Sequence, residues 1–94
     1  MPLIIKFIGA LRHISGKTQL TVNFQKSTSL KELLSKLSKE LPQLEKTLSE
    51  QQANDSTSNA LILVNGREIS VLEGLETKLN DGDEIVFVPV VHGG

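Results

Sequence analysis

The spacing of apolar and polar residues changes several times along this chain, and each change marks an element. From Leu3 to Ile8 the odd positions (Leu3, Ile5, Phe7) are all apolar, and the even ones (Ile4, Lys6, Ile8) carry a single charge. Such a run predicts a strand covered on both faces. Gly9 to Lys17, with glycines at 9 and 16, reads as a short link. In Thr18 to Phe24, Leu20, Val22 and Phe24 alternate with Gln19, Thr21 and Asn23. That period of two predicts a half-buried strand, and the two runs together read as a hairpin.

At Ser29 the period lengthens. Leu30, Leu33, Leu34, Leu37 and Leu41 recur at spacings of three and four, while Lys31, Lys36, Lys39 and Glu40 fill the other side. This predicts a helix with one core-facing stripe. Ser29 and Glu32 have the capping-box spacing, in which each side chain satisfies a free backbone N–H at the helix start. Pro42 predicts the end, because the residue before proline resists the α conformation. Gln43 to Gln52, with Leu44 and Leu48, reads as a further short helical segment, and residues 54–59 as a polar loop. Ala60 to Val64 predicts a third strand. Asn65-Gly66 comes next, both residues tolerating the positive φ of a type I′ turn, and Arg67 to Val71 reads as the returning fourth strand. Leu72 to Asn80 reads as 3₁₀ helix and loop. Asp81-Gly82-Asp83 turns the chain into a last strand, Glu84 to Val90.

The order is therefore ββαβ followed by two more strands. The first and last strands, apolar on both faces, belong inside the sheet with neighbours on each side. One helix covers one face of a five-stranded sheet, so the expected fold is an α+β roll of the β-grasp type with a mixed sheet. Residues 1–90 form the domain and residues 91–94 a flexible tail.

Composition narrows the function. The 94 residues suffice for one core, not two. Lys plus Arg number 10 against 11 Asp plus Glu, a balance that speaks against direct nucleic-acid binding. Cysteine is absent, which excludes a disulfide framework, a thiolate metal site and a thiol nucleophile; thioester or persulfide chemistry would belong to a partner. The first residues lack the pattern of a secretory leader, and no apolar run is long enough to span a bilayer. A cytoplasmic protein without membrane attachment is expected.

Candidate catalytic groups are few. His13 and His92 lie far apart and match no metal-binding spacing, so both read as exposed side chains and no metal is expected. The glycines form no phosphate-binding loop. Asp81, Asp83 and Glu84 lack the calcium-loop spacing and read as a turn that keeps strands in register. No catalytic residue is assigned.

The remaining feature is His92-Gly93-Gly94 directly after a strand. Its plain reading is a frayed terminus. The chemical reading is that the Gly94 carboxylate is the working group: ionised at neutral pH, accessible, and a nucleophile toward the α-phosphate of ATP. Two glycines add no side-chain bulk, so such a tail could thread a narrow channel into a partner's active site. Adenylation there would give a mixed anhydride, an acyl donor to sulfur or to an amine.

The run from Leu79 through Asn80-Asp81-Gly82-Asp83-Glu84 and Val88-Pro89-Val90-Val91 to His92-Gly93-Gly94 resembles the tail of the ubiquitin-like sulfur-carrier superfamily. That superfamily comprises molybdopterin synthase small subunits, thiamine sulfur carriers and ubiquitin-related modifiers. Leu63-Val64-Asn65-Gly66 and the helix start Thr28-Ser29-Leu30-Lys31-Glu32-Leu33-Leu34 also look like family features. The single Pro89 and the His-Gly-Gly end lie between the sulfur carriers and the modifiers, and the whole reads as prokaryotic, of archaeal cast. The resemblance implies activation of Gly94 by an adenylating enzyme of the ubiquitin-activating type, with ATP and magnesium held by that enzyme and no cofactor on this chain. The acceptor stays open: a thiocarboxylate feeding molybdopterin or tRNA thiolation, or the lysines of target proteins. An interaction module with an inert tail is a third possibility.

The strand patterns add a docking surface. If Ile85 and Phe87 face the helix, Val86, Val88 and Val90 point to the uncovered face, joined there by Ile4 and Ile8 of the first strand. An apolar patch leading into the tail is where an activating enzyme would grip. The competing expectation is that residues 43–59 fold over this face.

Overall fold

The computed structural model describes residues 1–44 and 60–89. Its strands are β1 (Pro2–Phe7), β2 (Gln19–Asn23), β3 (Thr28–Ser29), β4 (Ala60–Val64), β5 (Arg67–Glu68), β6 (Lys78–Leu79) and β7 (Glu84–Pro89); its helices are α1 (Ala10–Ser15) and α2 (Leu30–Glu40). Five strands form one sheet in the order β2-β1-β7-β4-β5, and β3 pairs with β6 in a small second sheet. β1 and β7 run parallel, with Ile5 opposite Ile85 and Phe7 opposite Phe87. The β1–β2, β4–β5 and β4–β7 pairs are antiparallel. The two strands that are apolar on both faces are thus interior, and the fold is the β-grasp roll that the strand and helix count predicts.

Alternation decides which side chains meet the helix. Leu3, Ile5 and Phe7 of β1, Ala60, Ile62 and Val64 of β4, and Ile85 and Phe87 of β7 are all buried. Against them α2 lays Leu30, Leu33, Leu34 and Leu37, each without exposed surface. The rings of Phe7 and Phe87 stack 5.7 Å apart at 16°, a geometry that adds about 0.5–1.5 kcal/mol to the burial itself.

The helix start differs from the predicted box. Ser29 Oγ accepts from Glu32 N at 3.3 Å, but the Glu32 carboxylate takes the Thr28 hydroxyl at 3.0 Å. Ser29 sits in β3, paired with Lys78, and a residue already in a ladder has less use for the second half of the box. At the other end Leu41, next to Pro42, leaves the helical region at φ −128°, ψ 76°. A 3₁₀ turn over Pro42–Leu44 then buries Leu44. The rest of the predicted segment to Gln52, and the polar loop, lie outside the described residues.

Three further expectations are corrected. The link between the first two strands contains α1, whose Leu11 is buried and which ends at Gly16 in the left-handed conformation, φ 75°. The fourth strand stops at Glu68. Residues Ile69–Val71 form a 3₁₀ turn because the Glu68 carboxylate accepts from the Ser70 N–H and hydroxyl, pulling the chain out of the ladder. The segment expected to be 3₁₀ and loop, 72–80, does hold a 3₁₀ turn at Gly74–Glu76 but also contains β6, whose Leu79 is fully buried.

The Asn65-Gly66 turn has positive φ at both residues, 51° and 85°. Asn65 also reaches outward: its Nδ2 donates to Asp83 Oδ1 and its Oδ1 accepts from Glu84 N, both at 3.0 Å. Asp83 Oδ2 accepts from Asn80 N at 2.8 Å. This clamp joins the β4–β5 turn to the turn before β7, so the acidic cluster there has a structural task.

Candidate functional site

The side chains that alternate away from α2 make up the other face of the sheet. On β7 these are Glu84, Val86 and Val88, and on β1 they are Ile4 and Lys6. Register sets Lys6 opposite Val86 and Ile4 opposite Glu84. Ile4, Val86 and Val88 are each partly buried. Ile8 lies one residue beyond the end of β1, is 41% exposed, and donates its N–H to Phe87 O at 3.1 Å. Four of the five predicted contact residues are thereby gathered along the β1–β7 pair. Val90, and with it His92, Gly93 and Gly94, lies outside the described residues.

β4 adds two side chains that the pattern reading did not name. Leu61 stands opposite Val88 and Leu63 opposite Val86, and Leu61 is 43% exposed. The signal was present, because Ala60-Leu61-Ile62-Leu63-Val64 is apolar at every position, as β1 and β7 nearly are. What was missing was the identity of β4 as the neighbour of β7. One charged pair crosses the apolar face: Lys6 Nζ lies 2.9 Å from Glu84 Oε2, both side chains 41% exposed. A pair so accessible to water contributes little to stability, about 0–1 kcal/mol.

Both β1 and β7 end at the same side of the molecule, because they are parallel. The chain leaving β1, through Gly9 into α1, therefore sits beside Pro89 at the end of β7. Gly9 has φ +59°, and a Cβ there would lie 3.1 Å from Pro89 Cγ. Only glycine lets the chain turn so close to the last described residue of β7.

Catalytic groups do not gather in this region. Among the described residues no three His, Asp or Glu side chains group as metal ligands, and His13 is exposed on α1. No described helix is long and apolar enough to cross a membrane.

A β-grasp roll with α2 on one face of its sheet and apolar side chains on the other, beside the end of β7, is the build of the ubiquitin-like class of small carriers and modifiers; whether residues 45–59 cover that second face lies outside the described residues. The sequence profile of the ThiS family matches residues 5–94, and the chain belongs to that family. It is similar to small archaeal modifier protein 3 of Haloferax volcanii, at 29% identity over the whole of both chains. A stretch of 33 residues is 54% identical to a protein of Archaeoglobus fulgidus with a provisional sulfur-carrier assignment, covering 35% of this chain and 38% of that one. The structure of small archaeal modifier protein 1 of Methanosarcina acetivorans superposes with a TM-score of 0.77 at 31% identity, over 99% of this chain and 96% of that one.

Proposed function

We propose that this protein is a ubiquitin-like carrier activated at the carboxylate of Gly94, which then delivers sulfur as a thiocarboxylate to molybdopterin or tRNA thiolation. The observation that carries the reading is the ThiS-family match, which extends across the last strand through Gly93 and Gly94. In the first step a Gly94 carboxylate oxygen attacks the α-phosphorus of ATP. Pyrophosphate leaves, and the tail becomes an acyl adenylate. A sulfur nucleophile supplied by a partner, at the oxidation level of hydrosulfide, then attacks the acyl carbon. AMP leaves, and the thiocarboxylate remains. ATP, magnesium and the catalytic groups belong to an adenylating partner of the ubiquitin-activating type. This chain contributes the tail, residues 91–94, and the docking face formed by Ile4, Ile8, Val86, Val88 and Val90, extended by Leu61 and Leu63.

A second reading differs only in the acceptor: the lysine amine of a target protein attacks the activated acyl carbon, giving an isopeptide bond. The similarity to two small archaeal modifier proteins favours keeping it beside the first. Both readings expect deletion of Gly94 to abolish ATP–pyrophosphate exchange with the adenylating partner while the melting temperature stays unchanged. Normal exchange by the truncated chain would remove Gly94 as the site. Intact mass from native cells separates the acceptors: the first reading expects a gain of about 16 Da as oxygen becomes sulfur, and the second expects high-mass conjugates.

A further inference from the structure

The near-neutral net charge of −1 conceals a strong division along the chain. Residues 1–39 carry seven Lys and Arg against one Glu, whereas residues 40–94 carry three against ten Asp and Glu. No acidic residue precedes Glu32. β2 is one edge of the sheet, with Lys17 just before it and Lys26 just after it, while β5 at the other edge, Arg67–Glu68, carries one charge of each sign. The basic part continues onto the end of the molecule where β7 finishes. There Gly9, Ala10, Arg12, His13, Gly16, Lys17 and Thr18 line an open cleft around α1.

The cleft is held rigidly. Buried Ser15 donates its hydroxyl to Lys17 O at 2.9 Å and accepts from Lys17 N at 3.1 Å, while Gln43 Nε2 donates to Ser15 O at 3.0 Å. The Gly16 N–H closes the turn on Arg12 O at 2.9 Å. Arg12 and Lys17 are exposed on this fixed loop. Among the described residues neither makes an ion pair, the one such pair being Lys6–Glu84. Like charges held together on a pinned loop repel one another, and a partner of opposite charge relieves that cost.

We propose that the α1 cleft, through Arg12 and Lys17, docks a carboxylate-bearing surface of the adenylating enzyme beside the channel that receives the tail. The proposal rests on activation at Gly94. Chain geometry links the two places. Gly94 is five residues past Pro89, hence within roughly 17 Å of it, and Gly9 at the cleft's edge packs against Pro89. A standard interface covers about 800 Å² per partner, a disc of roughly 16 Å radius. An enzyme that grips the chain at Pro89 with such an interface reaches α1 as well, and acidic groups set against the two exposed cations make the encounter favourable. A protein surface is favoured over RNA. The ten acidic residues of 40–94 would repel a phosphate backbone.

The test is the double reversal R12E/K17E, assayed by ATP–pyrophosphate exchange with the adenylating enzyme of the same organism. The expected result is a KM for this protein raised roughly tenfold or more at low salt, with kcat unchanged. The wild-type KM should rise with salt, and that of the variant should rise much less. The neutral pair R12Q/K17Q should shift KM in the same direction by less, and it carries the test if circular dichroism shows the reversal to be misfolded. Unchanged KM in a folded variant overturns the cleft while leaving activation at Gly94 intact. Exchange that survives deletion of Gly94 overturns the carrier reading instead, and the cleft's role with it. Capture of the wild-type protein by RNA at physiological salt, lost in R12E/K17E, would reassign the cleft to nucleic acid and also overturn the proposal.

Discussion

The two faces of the central sheet are built from the same kinds of residue and end in different environments. On β7, Ile85 and Phe87 vanish beneath α2, whereas Val86 and Val88 alternate with them and keep part of their surface exposed. On β4, Ile62 is 1% exposed and its neighbour Leu61 43%. Apolar character alone does not distinguish a core position from the others; α2 does, because it lies on one side of the sheet. The open face also holds the Lys6–Glu84 pair, a charged feature that the helix-covered face of β1, β4 and β7 lacks. Proteins seldom leave large apolar side chains together on an uncovered sheet unless something binds there. The helix-covered face therefore maintains the fold, and the other face is where the docking surface is proposed.

The sharpest way to break this contrast is to truncate one side chain on each face. Phe87→Ala removes a fully buried ring and its stack on Phe7, and should cost about 3–5 kcal/mol. Thermal melting would show a fall in midpoint well above 10 °C, at roughly 4–8 °C per kcal/mol for a domain of this size. A shift of only a few degrees would mean that the core is looser than its packing indicates. Val88→Asp, one position along on the open face, should cost about 1 kcal/mol and leave the fold intact. Its main effect should appear in activation, weakened roughly tenfold or more, as expected when a charge enters an apolar contact. Melting as severe as that of Phe87→Ala would show Val88 to be core and remove the docking face. The smallest effect is expected for Lys6→Met combined with Glu84→Gln. Two exposed partners of one ion pair exchange for neutral groups of similar length, with a stability change within about 1 kcal/mol. A loss of several kcal/mol in urea titration would indicate that the pair lies covered rather than open to water.

Much of this was legible along the chain. The period of two in β2, the leucine stripe of α2 and the Asn65-Gly66 turn are local patterns, because side-chain direction within one element follows from its own backbone. Short elements were not legible in the same way. α1 has six residues between two glycines, too few for a helical period to declare itself, and its existence depends on Leu11 finding the core. β3 and β6 have two residues each and exist through pairing with one another. The fourth strand was read too long because the Glu68 side chain, bonding to Ser70, competes with the ladder.

For the functional surface the division is similar. The order of residues alone carried the tail chemistry that is proposed, the absence of any thiol, and the doubly apolar strands that put apolar side chains on the face away from α2. It could not say that β4 lies beside β7, so Leu61 and Leu63 joined the face only when register set them opposite Val88 and Val86. Nor could it say that β1 and β7 are parallel. That one choice of direction sets Gly9, Arg12 and Lys17 at the end of the molecule where Pro89 leads into the tail. Side-chain alternation is a property of a single strand, fixed by covalent geometry. Which strands become neighbours, and which ends meet, depends on hydrogen bonds between residues roughly 80 positions apart, and only the folded chain forms them.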